Sequence, residues 1–333
     1  LVCYVRPKQP YRLLNSRGEA VLKNYYPDAE SMAEGCRLKA AHWPVSCRDA
    51  SLHIDRAIKA EVMAGRGTEN DAVYLDLANA TRGFKHELFE NFMTDNGIDI
   101  SNDMVQVQMH HHSSNGGIRI DEHAESSLPG LYAVGEAGGW QGADRLGGTM
   151  LGGSQVFGWR AGRFAGEQCS SRPAVAISDD DAMSLLGDWR RFKAARGTVT
   201  VDTMRRELQQ AMWELLTVEK DAQMLQASRD YIARDRERLA NDLALSNPLD
   251  MALAYEQRNL LDVAEVITET AMMRTESRGP HYRSDYPERD DEHWLTNLFA
   301  TYRNGALDIR KQWVCEEHGW TDMPGDIRIS PWG

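Results

Sequence analysis

Two glycine turns carry the residues of this chain best suited to chemistry. The first is His110-His111-His112-Ser113-Ser114-Asn115-Gly116-Gly117, and the second is Gly142-Ala143-Asp144-Arg145-Leu146-Gly147-Gly148-Thr149-Met150-Leu151. An arginine offers a planar fork of N–H donors that fits a carboxylate. A histidine adds a donor that titrates near neutrality. Three adjacent histidines point in different directions, so a three-ligand metal site is not expected. Either they form a surface cluster, or one of them is held in place by the Gly-Gly turn. Gly147 and Gly148 let the backbone approach another group closely. The helix predicted after them, to about residue 165, begins with free N–H groups and a positive dipole end, a favourable place for negative charge. Gly130-Leu131-Tyr132-Ala133-Val134-Gly135-Glu136 reads as a short apolar strand ending in a carboxylate. Strand ends of open α/β sheets are common ligand sites, although a surface turn acid is the plainer reading of Glu136.

The elements that must hold these turns follow from periodicity. Residues 11–22 read as a hairpin around Asn15-Ser16-Arg17-Gly18. Asp49 is placed to cap a helix running to about Ala64, with Ile54, Ala57, Ile58 and Val62 on one face and Gly65 as its stop. Residues 72–77 form a buried-type strand, and a helix is predicted over about 83–95. Gly158, Gly162 and Gly166 recur every four residues, which predicts one helix face in close contact with a neighbour. From about 178 to 275 the chain reads as helical. Leu208, Met212, Leu215 and Leu216 make one apolar stripe, and Leu253, Leu260, Leu261, Ala264 and Ile267 make another. Beyond Arg278 the pattern becomes irregular.

Composition narrows the function classes. The chain has 333 residues, 42% apolar and 26% charged, with a net charge of −12. Both signs are interspersed, which argues against nucleic acid or an anionic membrane surface as partner. No run of residues approaches the ~20 apolar residues of a membrane span. The chain opens at Leu1, directly in a strand-like run, so we expect its N-terminus to be missing. The five cysteines are scattered, without CxxC spacing, so an iron–sulfur cluster, zinc ribbon or attached haem in this chain is not expected. Reduced thiols and a cytoplasmic location fit best. No GxGxxG follows a strand, so the usual pyrophosphate cradle is not visible.

Taken together, these segments resemble the flavoprotein subunits of succinate dehydrogenase and fumarate reductase. His112-Ser113-Ser114-Asn115-Gly116-Gly117-Ile118 is similar to that family's H-Y-T-M-G-G-I. Gly130 to Glu136 is similar to G-L-Y-A-A-G-E, Gly142 to Leu151 to G-A-N-R-L-G-G-N-S-L, and Val156 to Gly162 to V-F-G-R-x-A-G. Arg274-Thr275-Glu276-Ser277-Arg278-Gly279-Pro280-His281-Tyr282-Arg283 is similar to R-x-E-S-R-G-A-H-x-R. Met204 to Trp213 resembles the family's L-Q-x-x-M-W helix, and Arg48-Asp49 and Gly65-Arg66-Gly67 fit its capping domain. The motifs occur in the family's order across nearly the whole chain.

The resemblance implies an α+β fragment whose N-terminal FAD-binding half lies outside it. Residues 1–108 would be a partial capping domain and 109–170 the closing segment of the FAD-binding domain. Residues 171–285 would be a helical domain and 286–333 a C-terminal extension. It implies FAD as cofactor, with Glu136 on the ribityl chain or ribose and the N–H groups of Met150 and Leu151 facing the isoalloxazine ring. A reduced flavin gathers negative charge at N1 and the C2 carbonyl, which suits a helix start. His112 and Arg145 would hold a C4 dicarboxylate, and Arg6 is the nearest match to the family's proton-transfer arginine. Gln141 and Asp144 stand where the family has His and Asn, and Thr149 where it has Asn. These departures bear on the substrate more than on the flavin. The implied reaction is hydride exchange of fumarate/succinate type. The implied partner is an iron–sulfur subunit, through which the protein would associate with a membrane that it does not span. The alternatives are a flavin reductase or dehydrogenase of the same superfamily acting on another unsaturated anion, and a non-catalytic subunit. L-aspartate oxidase fits less well, because its segment resembles R-M-A-S-N where this chain has Arg145-Leu146-Gly147-Gly148.

Overall fold

The computed structural model describes residues 12–42, 44–76, 87–99, 102–143, 149–173, 176–194, 196–303 and 305–314. The chain divides into two compact units, residues 1–173 with 278–282, and residues 174–277 with 283–333. At the coarse level this is the mixed α and β architecture expected.

The first unit is built on an antiparallel sheet in the order β1 (Arg12–Leu14), β2 (Val73–Asp76), β3 (Val105–Val107). Leu13 pairs with Leu75 and Leu75 with Val105, while Val73 pairs with Val107. The two-residue period of the strands puts these side chains on one face. That face is buried against Leu22, Tyr26 and Cys36 and against Ile54, Ala57 and Ile58. The last three lie on α2 (Leu52–Met63), as its periodicity predicts. Asp49 stands one turn before this helix, and its Oδ1 accepts from Ser51 N at 2.9 Å. Residues 15–20 turn back on β1 through a Leu14–Ala20 bridge, and a 3-10 turn at Val21–Asn24 replaces the second strand of the expected hairpin.

Helix α1 (Ala29–Ala41) was not evident from periodicity, because its buried face is only Gly35, Cys36 and Lys39. It is fixed instead by Asp28, which caps Ser31 N at 2.7 Å, and by a buried ion pair, Lys39 Nζ to Asp55 Oδ2 at 2.6 Å. Helix α3 (Glu87–Asp95) covers the described part of the helix expected over 83–95, and α4 (Thr149–Gln168) the helix after the second glycine turn.

The second unit runs α5 (Asp179–Ala194), β4 (Val199–Thr200), α6 (Val201–Leu216), β5 (Glu219–Lys220), α7 (Ala222–Asn241), β6 (Leu243–Ala244) and α8 (Pro248–Met273). After β7 (Tyr282–Arg283) come α9 (Asp291–Trp294), β8 (Thr296–Arg303) and β9 (Ala306–Trp313). Thr200, Asp221 and Asn247 cap α6, α7 and α8. Asn247 forms a full capping box with Asp250, and Pro248 opens α8 where a missing N–H costs nothing.

Two expectations about this unit need correction. The buried face of α8 is Ala254, Gln257, Leu261, Ala264, Thr268 and Ala271, while Leu260 and Ile267 are exposed. Close helix packing selects small residues, and the polar ones find partners. Thr268 Oγ1 meets Ser228 Oγ at 2.8 Å, and Gln257 Nε2 donates to Asp235 Oδ2 at 3.2 Å. The region after residue 278 is also more regular than expected. β8 and β9 form an eight-residue antiparallel hairpin, from Thr296 opposite Trp313 to Arg303 opposite Ala306. The β-branched and aromatic residues Thr296, Phe299, Thr301, Tyr302, Ile309 and Trp313 favour it.

Much of the motif from Arg274 onward is a buried polar knot. The Arg283 side chain is 2% exposed. Its Nη1 donates to Ala271 O at 2.9 Å, at the carbonyl end of α8, and its Nε and Nη2 grip Asp285 at 2.7 and 2.6 Å. Arg274 pairs with Glu276 at 2.5 Å, and Glu276 Oε2 accepts from Asp290 N at 2.9 Å.

Candidate functional site

The first glycine turn lies alongside the 3-10 turn that carries Glu136. Ile118 N donates to Ala137 O at 2.8 Å, and Gly139 N donates to Ile118 O at 2.7 Å. Gly117 makes this approach possible. Its φ is +140°, and a Cβ there would sit 2.5 Å from Ala137 O. Ser114 N donates to Glu136 Oε1 at 2.6 Å. Among the described residues Glu136 Oε2 accepts no hydrogen bond, so it is available to a ligand hydroxyl. His111 Nε2 meets Ser114 Oγ at 3.1 Å, and His112 is exposed two residues before the N–H that orients Glu136. Among the described residues no group of three His, Cys, Asp or Glu could hold a metal.

Residues 130–134 do not make a buried strand. Tyr132 forms a single bridge with Glu125, Leu131 and Val134 are exposed, and a 3-10 turn at Gly135–Ala137 follows. Glu125 braces the turn. Its Oε1 accepts from Gly130 N at 2.7 Å and forms an ion pair with Arg172 Nη1 at 2.6 Å, and Arg172 holds its carboxyl below the usual range.

Helix α4 packs on this layer through its first half. Trp140 Nε1 donates to Gly135 O at 2.9 Å. The Trp140 ring occupies the space a side chain at Gly153 would need, with Phe157 5.6 Å away. Gly158, Gly162 and Gly166, expected at a close contact, face open space among the described residues. In the first turn, Ser154 Oγ donates to Met150 O at 2.7 Å, and Leu151 is 70% exposed. Gln141 donates to the Met150 sulfur, while its Oε1 is buried with no partner among the described residues.

The second glycine turn is described on both flanks, but residues 144–148, and with them Arg145, lie outside the described residues, as does Arg6. The flanks are informative. Asn115 Nδ2, three residues after His112, donates at 2.9 Å to the carbonyl of Ala143, two residues before Arg145.

A third segment, expected only in the capping region, reaches the same place. Cys47 N donates to Gly279 O at 2.8 Å, and Gly279 lies against Ala143. Arg48, beside Cys47, and Arg278, beside Gly279, are therefore described guanidiniums next along the chain to this junction. Arg48 Nε is 3.5 Å from Asp49 Oδ2, which also meets His42 Nε2 at 2.8 Å. Burial would raise the Asp49 carboxyl, but hydrogen bonds from His42 and Ser51 outweigh it and hold the group well below the carboxylate range. A single sequence carries no signal for this convergence, because residues 47, 115, 143 and 279 are distant along the chain.

The chain matches two family models, the FAD binding domain over residues 13–151 and the fumarate reductase flavoprotein C-terminal family over residues 205–319. The first match corrects the expectation that the FAD-binding half lies outside this chain, since it takes in the sheet, α2 and both glycine turns. The CoM/CoB fumarate reductase of Methanothermobacter marburgensis contributes a relative that is 34% identical over 295 residues, covering 86% of this chain and 50% of the relative. The succinate dehydrogenase flavoprotein subunit of Rickettsia conorii is 28% identical over 312 residues, covering 87% and 50%. Among solved structures, a quinol–fumarate reductase with menaquinol molecules is similar at a TM-score of 0.70 and 26% identity, over 91% of this chain and 55% of that one. The chain thus spans about half the length of the relatives it matches.

FAD is the cofactor that the family model and these flavoproteins indicate. The residues present fit it. A carboxylate oxygen at Glu136 is free among the described residues to accept from a hydroxyl, Gln141 holds an unpaired buried acceptor, and the start of α4 offers N–H groups beside an exposed leucine. Two family models in succession, and relatives of up to 34% identity, support one family for this chain, that of the fumarate reductase and succinate dehydrogenase flavoproteins.

Proposed function

We propose that this chain forms part of a flavoprotein that exchanges hydride between FAD and a C4 dicarboxylate of the fumarate/succinate type. The observation that carries the reading is the hydrogen bond from Asn115 to Ala143 O, because it ties the His112 turn to the Arg145 turn beside Glu136. His112 and Arg145 hold the two carboxylates, with Arg145 as a two-pronged donor. Glu136 accepts from the ribityl chain or ribose, and the N–H groups of Met150 and Leu151 stabilise charge on the ring. FAD, when bound, supplies the hydride acceptor or donor. Holding the acid in one pose against the ring is the chain's contribution to the rate.

Two arginines compete for the proton transfer. Arg6 is the nearest match by resemblance, while Arg48 has the support of its position beside Cys47 and of the Asp49–His42 pair that braces it. Electrons pass to or from an iron–sulfur partner, which places the protein at a membrane through that partner. Among the described residues no helix is long and apolar enough to cross one.

The test is the full-length protein assayed with fumarate and reduced dye, and with succinate and oxidised dye. Bound yellow flavin with turnover of either is expected. Bound flavin without turnover would favour another unsaturated anion, and a protein that takes up no flavin would favour a non-catalytic subunit. Arg48→Lys and Arg6→Lys are compared in the same assay, and the larger loss of kcat identifies the proton-transfer group.

A further inference from the structure

Asp235 lies fully buried on α7. Ile232 and Leu239, about a turn to either side of it, join Leu208 of α6 and Ala254 and Leu261 of α8 in the apolar core of the second unit. A carboxylate there loses its water and needs full compensation from its neighbours. We infer that Asp235 is a proton-binding site in this core, so that the helical unit takes up a proton as it folds and is held more tightly in mild acid than near neutrality.

The cationic compensation is shared. Arg238 Nη1 donates to Asp235 Oδ1 at 3.0 Å and, with its other hydrogen, to Glu207 Oε2 at 2.7 Å. One guanidinium therefore serves two carboxylates and leaves the trio with a negative charge in excess. The Glu207 side chain is 45% exposed, so water solvates its charge, and the proton goes to the buried Asp235. The other carboxyl oxygen is held loosely, by Gln257 Nε2 donating to Oδ2 at 3.2 Å. Gln257 is itself fully buried, and its Oε1 has no partner among the described residues. Turned over, the carboxamide presents Oε1 to Asp235. A protonated Oδ2 then donates where the carboxylate accepts, and the same pair fits both states.

The elements packed most closely on α7 are α6, α8 and β6. The groups that face Asp235 are Glu207 from α6, Tyr231, Arg234 and Arg238 from α7 itself, and the neutral Gln257 from α8, while β6 is Leu243–Ala244. Burial and Glu207 push the Asp235 carboxyl up, and they outweigh the pull of Gln257, Arg238 and Arg234. Burial also pushes the Tyr231 hydroxyl up to about 12, so Tyr231 adds no charge. A carboxyl raised on folding binds more protons folded than unfolded. Its charged form therefore costs stability near neutrality, and the cost fades as pH falls toward the ordinary value of 3.8.

The test uses the full-length protein. Asp235→Asn keeps the shape, carries no charge and can give Gln257 Oε1 an N–H, so it stands for the protonated state. Hydrogen exchange of the α6, α7 and α8 amides, corrected for the intrinsic pH dependence of exchange, reads the opening of the unit. Opening of the wild type relative to Asp235→Asn should fall about threefold or more between about pH 7.5 and about pH 5. In carboxyl-carbon NMR, the aspartate signal lost in Asp235→Asn should titrate above the ordinary range. Glu207→Gln leaves Arg238 to Asp235 alone, and should move both the titration and the pH dependence of opening to lower pH. A residue that only fills space would move neither. An opening ratio independent of pH, or an Asp235 signal that titrates at or below the ordinary range, overturns the inference. If Asp235→Asn does not fold, a pH dependence of opening left unchanged by Glu207→Gln overturns it instead.

Discussion

Lys39→Met should destabilise the first unit severely, in a way that depends on pH. The ammonium lies 2.6 Å from Asp55 Oδ2, with the two side chains 7% and 3% exposed. Removing one partner of such a buried pair leaves an uncompensated charge and costs about 3–5 kcal/mol. At ~1.4 kcal/mol per tenfold, that is a hundredfold or greater rise in the open population. Burial already pushes the Asp55 carboxyl above its ordinary value, against the pull of Lys39. Without Lys39 it should rise further. A carboxyl whose value is raised on folding binds more protons folded than unfolded, so stability falls as pH climbs above its ordinary value of 3.8. The loss in Lys39→Met should therefore be largest near neutrality and shrink toward about pH 4, where Asp55 is neutral in the folded state and about half neutral in the unfolded one. Hydrogen exchange of the α1 and α2 amides, with urea titration at both pH values, measures it. The double variant Lys39→Met/Asp55→Leu should recover most of the loss, because an apolar pair of similar volume replaces the buried charges. A loss below about 1 kcal/mol near neutrality, or one that does not change with pH, would refute the reasoning, since a surface pair would behave so.

Other perturbations separate packing from chemistry. His42→Ala should move the Asp49 carboxyl back up toward its ordinary range, read by a carboxyl-carbon NMR titration. Because Asp49 is depressed on folding, its contribution to stability is present above its ordinary value and lost as pH falls through the folded one, so the neutral range should stay flat. Gly153→Ala should disturb the Trp140 stack and cost about 1–3 kcal/mol, visible in tryptophan emission. Gly158→Ala, with open space before it among the described residues, should instead stabilise α4 by up to about 1 kcal/mol, as helicity measured by circular dichroism would show. Arg283→Lys cannot hold Asp285 and the end of α8 together, and should lower the thermal midpoint by the equivalent of about 2 kcal/mol or more.

The legible parts were those with a local cause. α2 followed from its apolar period, with Ser51 rather than Asp49 at its N-cap, and β2 from a run of buried-type residues. Helix α1 has no local signature, because a buried ion pair and two small residues stand where an apolar stripe would normally show. The buried face of α8 differs from its apolar stripe, because Gln257 and Thr268 look like surface residues until Asp235 and Ser228 are opposite them. The hairpin β8–β9 was hidden by the prolines and acidic pair before it.

For the site, the sequence determined the parts: two glycine turns, a carboxylate beside them, a helix start and a family resemblance that two family models support. It could do so because turn formation, helix starts and motif order are properties of neighbours along the chain. Tertiary structure alone decided that Asn115 holds Ala143, that Ser114 turns Glu136, and that Cys47 brings Arg48 to the same junction through Gly279. Each of those contacts closes a loop between residues far apart along the chain, and only the packed core fixes where such loops close.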